Sequence, residues 1–140
     1  MLTADDIAKL IPHGRNMSLV ESIDSWDNNS IRCSAKKLFS AENPLCENGS
    51  LDNLTLIEYA AQAVAVHLSL SCQAISRPRP GYVGAVKDVV IEMPVRETSG
   101  ILICANCLLK NSQGAVYTFN VTQEGNDLIS GKIYLNYLNQ

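Results

Sequence analysis

The longest regular pattern in the sequence is a helical one that begins near Leu51. Apolar residues recur there at the helical intervals of three and four: Leu54, Ile57, Ala61, Ala65, Leu68 and Cys72. The segment as a whole is apolar on nearly every side of the helix. Alanines between residues 60 and 65 favour a helix and keep it thin, so other segments can approach it closely. A helix that is apolar all round must be covered on all sides, so we predict a buried helix over about residues 51–72.

Most of the remaining chain has patterns that are typical of strands. Residues 17–25 and 30–39 alternate loosely between apolar and polar positions, and WDNN between them predicts the turn of a hairpin. Three later sections are rich in Val, Ile, Leu and Tyr and are interrupted by turn-forming residues: 81–93, 98–110 and 115–138. We predict that these sections form four strands in an antiparallel meander.

The predicted order of elements is two strands, one long helix and four strands. A single antiparallel sheet curled around the helix satisfies this order, which is an α+β hotdog architecture. Residues 1–140 suit one such domain, because a chain of this length buries one core rather than two. A curled sheet leaves an unpaired edge, so we expect two protomers to join edge to edge.

Composition and charge exclude several classes of protein. Hydrophobic residues make up 46% of the chain, which excludes intrinsic disorder. With 11 Lys and Arg against 14 Asp and Glu, the chain lacks the basic field that binding to nucleic acid or to an anionic membrane requires. The N-terminal segment does not resemble a signal peptide, and we expect no membrane span.

The cysteines predict a reducing, cytoplasmic environment. Their number, 5, is odd and their spacing is irregular, unlike a disulfide framework. Cys104 and Cys107 form a C-x-x-C motif inside a predicted strand, where residues three apart point to opposite faces. We therefore expect no metal site and no cofactor.

One residue does not fit the apolar helix. Glu58 is the only charged residue between Asn53 and Arg77. A buried carboxyl costs several kcal/mol unless it is paired, and in such a setting it is suited to proton transfer. Alternatively, Glu58 faces solvent in the first helical turn, where acids interact favourably with the helix dipole. Gln62 lies four residues further on and is predicted to reach Glu58.

The sequence resembles 3-hydroxyacyl-acyl-carrier-protein dehydratases of the FabZ and FabA type, and most of all the small divergent branch found in aryl polyene pigment clusters. Three ordered segments carry the resemblance, with an NP loop after the first: LIPHGRNMSLVESI, LTLIEYAAQAVAVH and GYVGAVKDVVI. The resemblance implies a hydro-lyase that acts on a 3-hydroxyacyl thioester of acyl carrier protein or coenzyme A. The product would be the trans-2-enoyl thioester of fatty acid or polyene biosynthesis.

Catalytic roles follow from the resemblance position by position. The family's helix acid falls on Glu58, whereas the family's catalytic histidine, fourteen residues earlier, falls on Pro44. His13, in the motif Ile-Pro-His-Gly, is the remaining histidine in a loop and is either a second catalytic group or a structural one. His67 lies about 13 Å from Glu58 along the helix axis and is expected to be structural.

Substrate contacts are expected at the start of the helix and in the strand that follows the helix. Backbone N–H groups near Asn53 and Leu54 would bind the thioester oxygen, and Gly49 would let the preceding loop approach a ligand. Gly84 and Ala85 fall in the segment that borders the acyl tunnel in the resembled family, and their small size would leave room for a chain. Arg77 and Arg79 flank prolines next to this segment, and Lys36 and Lys37 form another basic pair. These residues either steer an acidic acyl carrier protein or are solvated surface charges.

Two other functions compete with the lyase. Loss of the loop histidine fits a non-catalytic hotdog subunit, or an acyl-binding partner of an active dehydratase. A helix Glu also activates water in thioesterases of this fold. The sequence leaves open whether the assembly is a homodimer or a heteromer with another hotdog dehydratase.

Overall fold

A computed structural model describes residues 19–36, 38–39, 43, 46, 51–72, 81–97 and 99–137. These residues form one helix, preceded by a 3₁₀ turn at Asn53–Thr55, and six strands. The helix, α1, is Leu56–Cys72. The strands are β1 Ser22–Trp26, β2 Ser30–Ala35, β3 Gly81–Ile91, β4 Ile101–Lys110, β5 Gly114–Gln123 and β6 Asn126–Tyr137.

The strands form one antiparallel sheet in the order β1-β2-β4-β5-β6-β3. The predicted hairpin and the four later strands are confirmed, but the prediction of a simple meander over all four was wrong. Only β4, β5 and β6 follow one another through hairpins, while β3 crosses to the far side of β6. β3 and β1 are therefore the two edges of the sheet, and β2 pairs with β4.

Alternation along the central strands places the core on one face of the sheet. In β5 every second residue is buried: Ala115, Tyr117, Phe119, Val121 and Gln123. Their neighbours in sequence are only partly buried and point to the outer face, as the period of two requires. The apolar inner face packs on α1, which confirms the hotdog architecture that the sequence predicts.

The helix is buried along most of its length but has one open side. The core includes the helix residues Leu56, Tyr59, Ala60 and Ala63. Later helix residues on the same faces are buried too. Asp52 begins the segment as an N-cap, with its side chain accepting a hydrogen bond from the Leu54 amide. The predicted helix over about residues 51–72 is thus confirmed, with its first turn formed as a 3₁₀ helix.

Four cysteines are free thiols rather than members of disulfides: Cys33, Cys46, Cys104 and Cys107. Burial raises the pKa of the Cys33 thiol to about 12, so this group stays protonated at neutral pH. Cys104 is in register with Asn120, whereas Cys107 is in register with the inward-facing Tyr117. The two sulfurs of the C-x-x-C motif therefore lie on opposite faces, and no group of metal ligands occurs among the described residues.

Candidate functional site

Glu58 lies in the first turn of α1, on the side of the helix that the sheet does not cover. It is exposed, and the residues beside it on this side are exposed or partly buried: Leu54, Ile57, Ala61 and Ala65. Of the two alternatives for Glu58, a buried carboxyl and an acid that faces solvent in the first helical turn, the single chain shows the second. Its neighbours at 59 and 60 point into the core, so the helical period turns Glu58 outward. We call Leu54, Ile57, Glu58, Ala61 and Ala65 the open helix face.

The amide groups of Leu54 and Thr55, in the turn after the N-cap, are already paired within the chain. The amide of Leu54 donates to the Asp52 carboxylate at 3.0 Å, and that of Thr55 donates to the Asp52 carbonyl oxygen at 3.0 Å. The Thr55 hydroxyl donates to the same carbonyl oxygen at 2.5 Å. The first turn therefore does not present free N–H groups at Leu54 and Thr55, contrary to the expectation of a thioester-oxygen site there.

Asn53 is buried, and its side chain is bound to main-chain groups. The amide nitrogen donates to the carbonyl oxygens of Met93 and, at 3.4 Å, of Leu128. The amide oxygen accepts a hydrogen bond from the backbone N–H of Val95 at 3.2 Å. Asn53 thus joins the start of the helix to the segment after β3 and to β6; a direct substrate contact by its backbone stays a prediction.

Gln62 is also buried, one turn beyond Glu58. Its side-chain oxygen accepts a hydrogen bond from the Leu19 backbone N–H at 2.7 Å. This contact ties the helix to the chain that leads into β1. The predicted contact between Gln62 and the Glu58 carboxylate stays a prediction.

Gly84 and Ala85 lie on edge strand β3. A side chain at Gly84 would meet the Asn136 amide nitrogen at 2.2 Å. The small size of Gly84 therefore accommodates a side chain of the neighbouring strand rather than leaving an empty channel. Ala85 is partly buried and in register with Tyr134. Among the remaining candidates, His13 and Gly49 lie outside the described residues, as do Pro44, Lys37, Arg77 and Arg79.

A cleft of about 360 Å³ opens between the start of the helix and the end of β3. Its walls are two short segments, Leu51, Asp52 and Asn53 on one side and Ile91, Glu92, Met93 and Pro94 on the other. The lining is a mixture of apolar and polar residues, and the acids Asp52 and Glu92 are exposed. Asn53 hydrogen bonds cross from one wall to the other.

One hydrogen-bonded pair at the helix, Asn43 with Tyr59, was not anticipated from the sequence. Asn43 is buried and donates to the Leu38 carbonyl oxygen at 2.6 Å and to the Tyr59 hydroxyl at 2.8 Å. This anchors the loop before the helix next to Glu58, and burial raises the pKa of Tyr59. The position of Asn43 directly before Pro44, in a polar loop, was the signal that could have identified it.

His67 has the structural role that was expected. Its ring is fully buried; Nε2 lies 2.7 Å from the Asp27 carbonyl oxygen and Nδ1 is hydrogen-bonded to the Tyr117 hydroxyl. It therefore fastens the second half of α1 to the turn between β1 and β2. It contributes nothing to the open helix face.

Comparison with protein families identifies the chain. The family model described as ApeP-like, ApeP dehydratase, matches residues 5–137. The chain belongs to the ApeP-like dehydratase family. This agrees with the resemblance to aryl polyene dehydratases noted from the sequence. No curated protein matches the sequence significantly.

Solved structures share the fold of this ApeP-like chain. A chain of the dehydratase heterocomplex ApeI:P from Xenorhabdus doucetiae superposes with a TM-score of 0.85 at 20% identity, covering 100% of this chain and 93% of that chain. A Haemophilus influenzae thioesterase has a TM-score of 0.72 at 13% identity, covering 99% and 92% of the two chains. A mutant thioesterase from Pseudomonas aeruginosa has a TM-score of 0.72 at 9% identity, covering 99% and 95%. At these identities the likeness establishes the hotdog fold alone.

None of the described helices of this ApeP-like chain is long and apolar enough to cross a membrane.

Proposed function

We propose that this ApeP-like chain removes water from a 3-hydroxyacyl thioester, with Glu58 as a group that transfers protons, in an assembly with a second hotdog chain. The observation that carries the proposal is the setting of Glu58. It is the only Asp, Glu, Lys or Arg in α1, and it lies on the open helix face among apolar residues. A carboxylate on such a surface becomes effective once a second chain covers it and excludes water.

The reaction requires two proton transfers. A base removes the C2 proton, the bond between C3 and the hydroxyl oxygen breaks, and the hydroxyl group leaves as water after it receives a proton. A double bond forms between C2 and C3. Glu58 serves one of these transfers, and His13 is the proposed second group. The substrate is carried by acyl carrier protein or coenzyme A.

Edge strand β3 is the proposed contact with the second chain. It is 11 residues long, lies at the end of the sheet order, and carries exposed apolar side chains at Val83, Val89, Val90 and Ile91. An edge of this length and composition is suited to pairing with another strand. The likeness to a dehydratase heterocomplex supports another hotdog dehydratase as the partner, with a homodimer as the alternative.

A second candidate is a non-catalytic subunit of such an assembly. The observation that favours it is Pro44, which occupies the position of the catalytic histidine in the resembled dehydratases. In that case the chain would hold the acyl group or shape the site of an active partner.

An assay with 3-hydroxyacyl carrier protein, followed by mass spectrometry for loss of one water, tests these functions. The chain is assayed alone and together with a homologous hotdog dehydratase whose own catalytic residue has been replaced. Dehydration in either sample supports the proposal. If neither sample dehydrates the substrate but the unmodified partner restores full activity, the result supports the non-catalytic subunit. Release of the free acid would indicate a thioesterase.

A further inference from the structure

The start of α1 is held against the end of β3 by one side chain. Asn53 donates to the Met93 and Leu128 carbonyl oxygens and accepts from the Val95 N–H. Within the part of the chain that the structure describes, all hydrogen bonds between the start of the helix and residues 92–95 involve this side chain. Residues 92–93 are themselves bound to β6, because the Glu92 amide donates to the Leu128 carbonyl oxygen at 2.9 Å.

Asn53 therefore connects two surfaces to which the proposed function assigns roles. On one side, Glu58 follows Asn53 by less than two helical turns, and a helix transmits a displacement of its first residue along its axis. On the other side, Met93 and Val95 follow directly after Ile91, the last residue of the proposed partner-binding strand. The cleft of about 360 Å³ lies between the two segments that Asn53 joins.

We propose that Asn53 is a positioning residue that holds Glu58 at a fixed distance from the partner-facing edge β3. The inference depends on the proposed function, because it assigns to Asn53 the placement of the proton-transfer group. Asn53 itself need not touch the substrate. Misplacement of a catalytic group by about 1 Å costs up to about a hundredfold in rate, so loss of this connection acts mainly on kcat.

Gln123 offers a matched control for this test. Its buried side chain also makes three hydrogen bonds to the main chain: it accepts from the Arg96 N–H at 2.8 Å, and donates to the carbonyl oxygens of Arg96 at 2.8 Å and Ser99 at 2.7 Å. The exposed fractions are similar, 4% for Gln123 and 8% for Asn53. Gln123, however, lies at the end of β5 and has no bond to α1 in the described structure.

The experiment compares Asn53→Asp with Gln123→Glu in the full chain with its partner. Each substitution keeps the side-chain oxygen that accepts a hydrogen bond. It replaces the amide nitrogen, which donates to two carbonyl oxygens, with an oxygen that cannot donate, so both variants should have a lower free energy of unfolding. We expect kcat of Asn53→Asp to fall about tenfold, with KM within about threefold of the parent, while kcat of Gln123→Glu stays within about twofold. Equal losses in both variants would overturn the inference, because general destabilisation would then explain them.

Hydrogen exchange provides a readout that does not depend on activity. Backbone amides of residues 54–58 should exchange at least about tenfold faster in Asn53→Asp and at the parental rate in Gln123→Glu. Unchanged exchange at residues 54–58 overturns the inference even if the chain is an active dehydratase. Faster exchange in a chain that never dehydrates, with any partner, refutes the proposed function and the positioning of a proton-transfer group by Asn53, while the connection between Asn53 and the helix stands.

Discussion

The Nε2 atom of His67 lies 2.7 Å from the carbonyl oxygen of Asp27. A carbonyl oxygen only accepts hydrogen bonds, so Nε2 carries a proton. The other ring nitrogen then accepts from the Tyr117 hydroxyl group in a neutral ring. Burial lowers the pKa of His67, and nearby Lys110 acts in the same direction, which agrees with a neutral imidazole.

The stability of the chain should therefore depend on pH through His67. Because the pKa of His67 is lowered in the folded state, the unfolded chain binds the proton more readily. The contribution of neutral His67 to stability is therefore fully present above the pKa of the unfolded chain, about 6.5, and is lost as the pH falls below it. We expect the free energy of unfolding, measured with urea, to fall as the pH decreases from 7.5 to 5.5. In His67→Gln the dependence should be weaker, because the group whose pKa is lowered by folding is then gone; an unchanged slope would contradict the assignment.

Two glycines on the strands that flank β6, Gly114 on β5 and Gly84 on β3, should respond differently to alanine. A Cβ at Gly114 would lie 2.0 Å from the Leu135 carbonyl oxygen, which is fixed in the sheet, whereas one at Gly84 would meet the amide end of the exposed Asn136 side chain. That side chain can turn away, but the backbone cannot. We expect Gly114→Ala to lower the free energy of unfolding by about 2–3 kcal/mol and Gly84→Ala by less than about 1 kcal/mol. Equal costs in urea unfolding would refute this reading of Gly84.

Local patterns were sufficient to predict the elements but not their order in the sheet. The helix and the strands follow from periods of three to four and of two, which depend on nearby residues alone. The position of β3 beside β6 depends on pairing such as Val86 with Ile133, residues far apart in sequence. No local pattern distinguishes this arrangement from a meander in which β3 pairs with β4.

The candidate site was predictable to a similar extent. Glu58 was identified because a charge in an apolar helix is chemically unusual, and it does belong to the open helix face. Asn53 was identified too, but as a substrate contact, because its bonds to Met93 and Val95 depend on a chain reversal that the sequence does not reveal. Asn43 was missed, since its partner Tyr59 becomes a neighbour only in the fold.

Edge strand β3 should control assembly. Val90 is 47% exposed on this edge, and Leu108 is 57% exposed on β4, an inner strand of the sheet order. A lysine on an unpaired edge opposes strand pairing, so Val90→Lys should weaken the dimer at least about tenfold, while Leu108→Lys should leave it intact. Light scattering at micromolar concentration measures this, for an interface expected to bury more than about 1,000 Å². A monomeric parent chain, alone and with a hotdog partner, would refute the assembly.

The decisive substitution is Glu58→Gln, which keeps the shape of the side chain and removes its ability to transfer a proton. Glu58 is exposed in the single chain, so the substitution should change stability little, whereas turnover should fall at least about a hundredfold, the usual contribution of a general acid or base. Glu92→Gln is the control, because this acid is also exposed and lines the neighbouring cleft; it should retain activity within about threefold.

His13→Ala separates the two roles left open for that histidine. A shared role in proton transfer predicts a loss as large as that of Glu58→Gln, with unchanged stability. A structural role predicts instead a loss of about 1–3 kcal/mol in the free energy of unfolding, with turnover of the folded fraction preserved. Turnover is measured as water loss from the 3-hydroxyacyl thioester in the complete assembly. Parental turnover of Glu58→Gln in that assembly would refute the assignment of a proton-transfer role to Glu58.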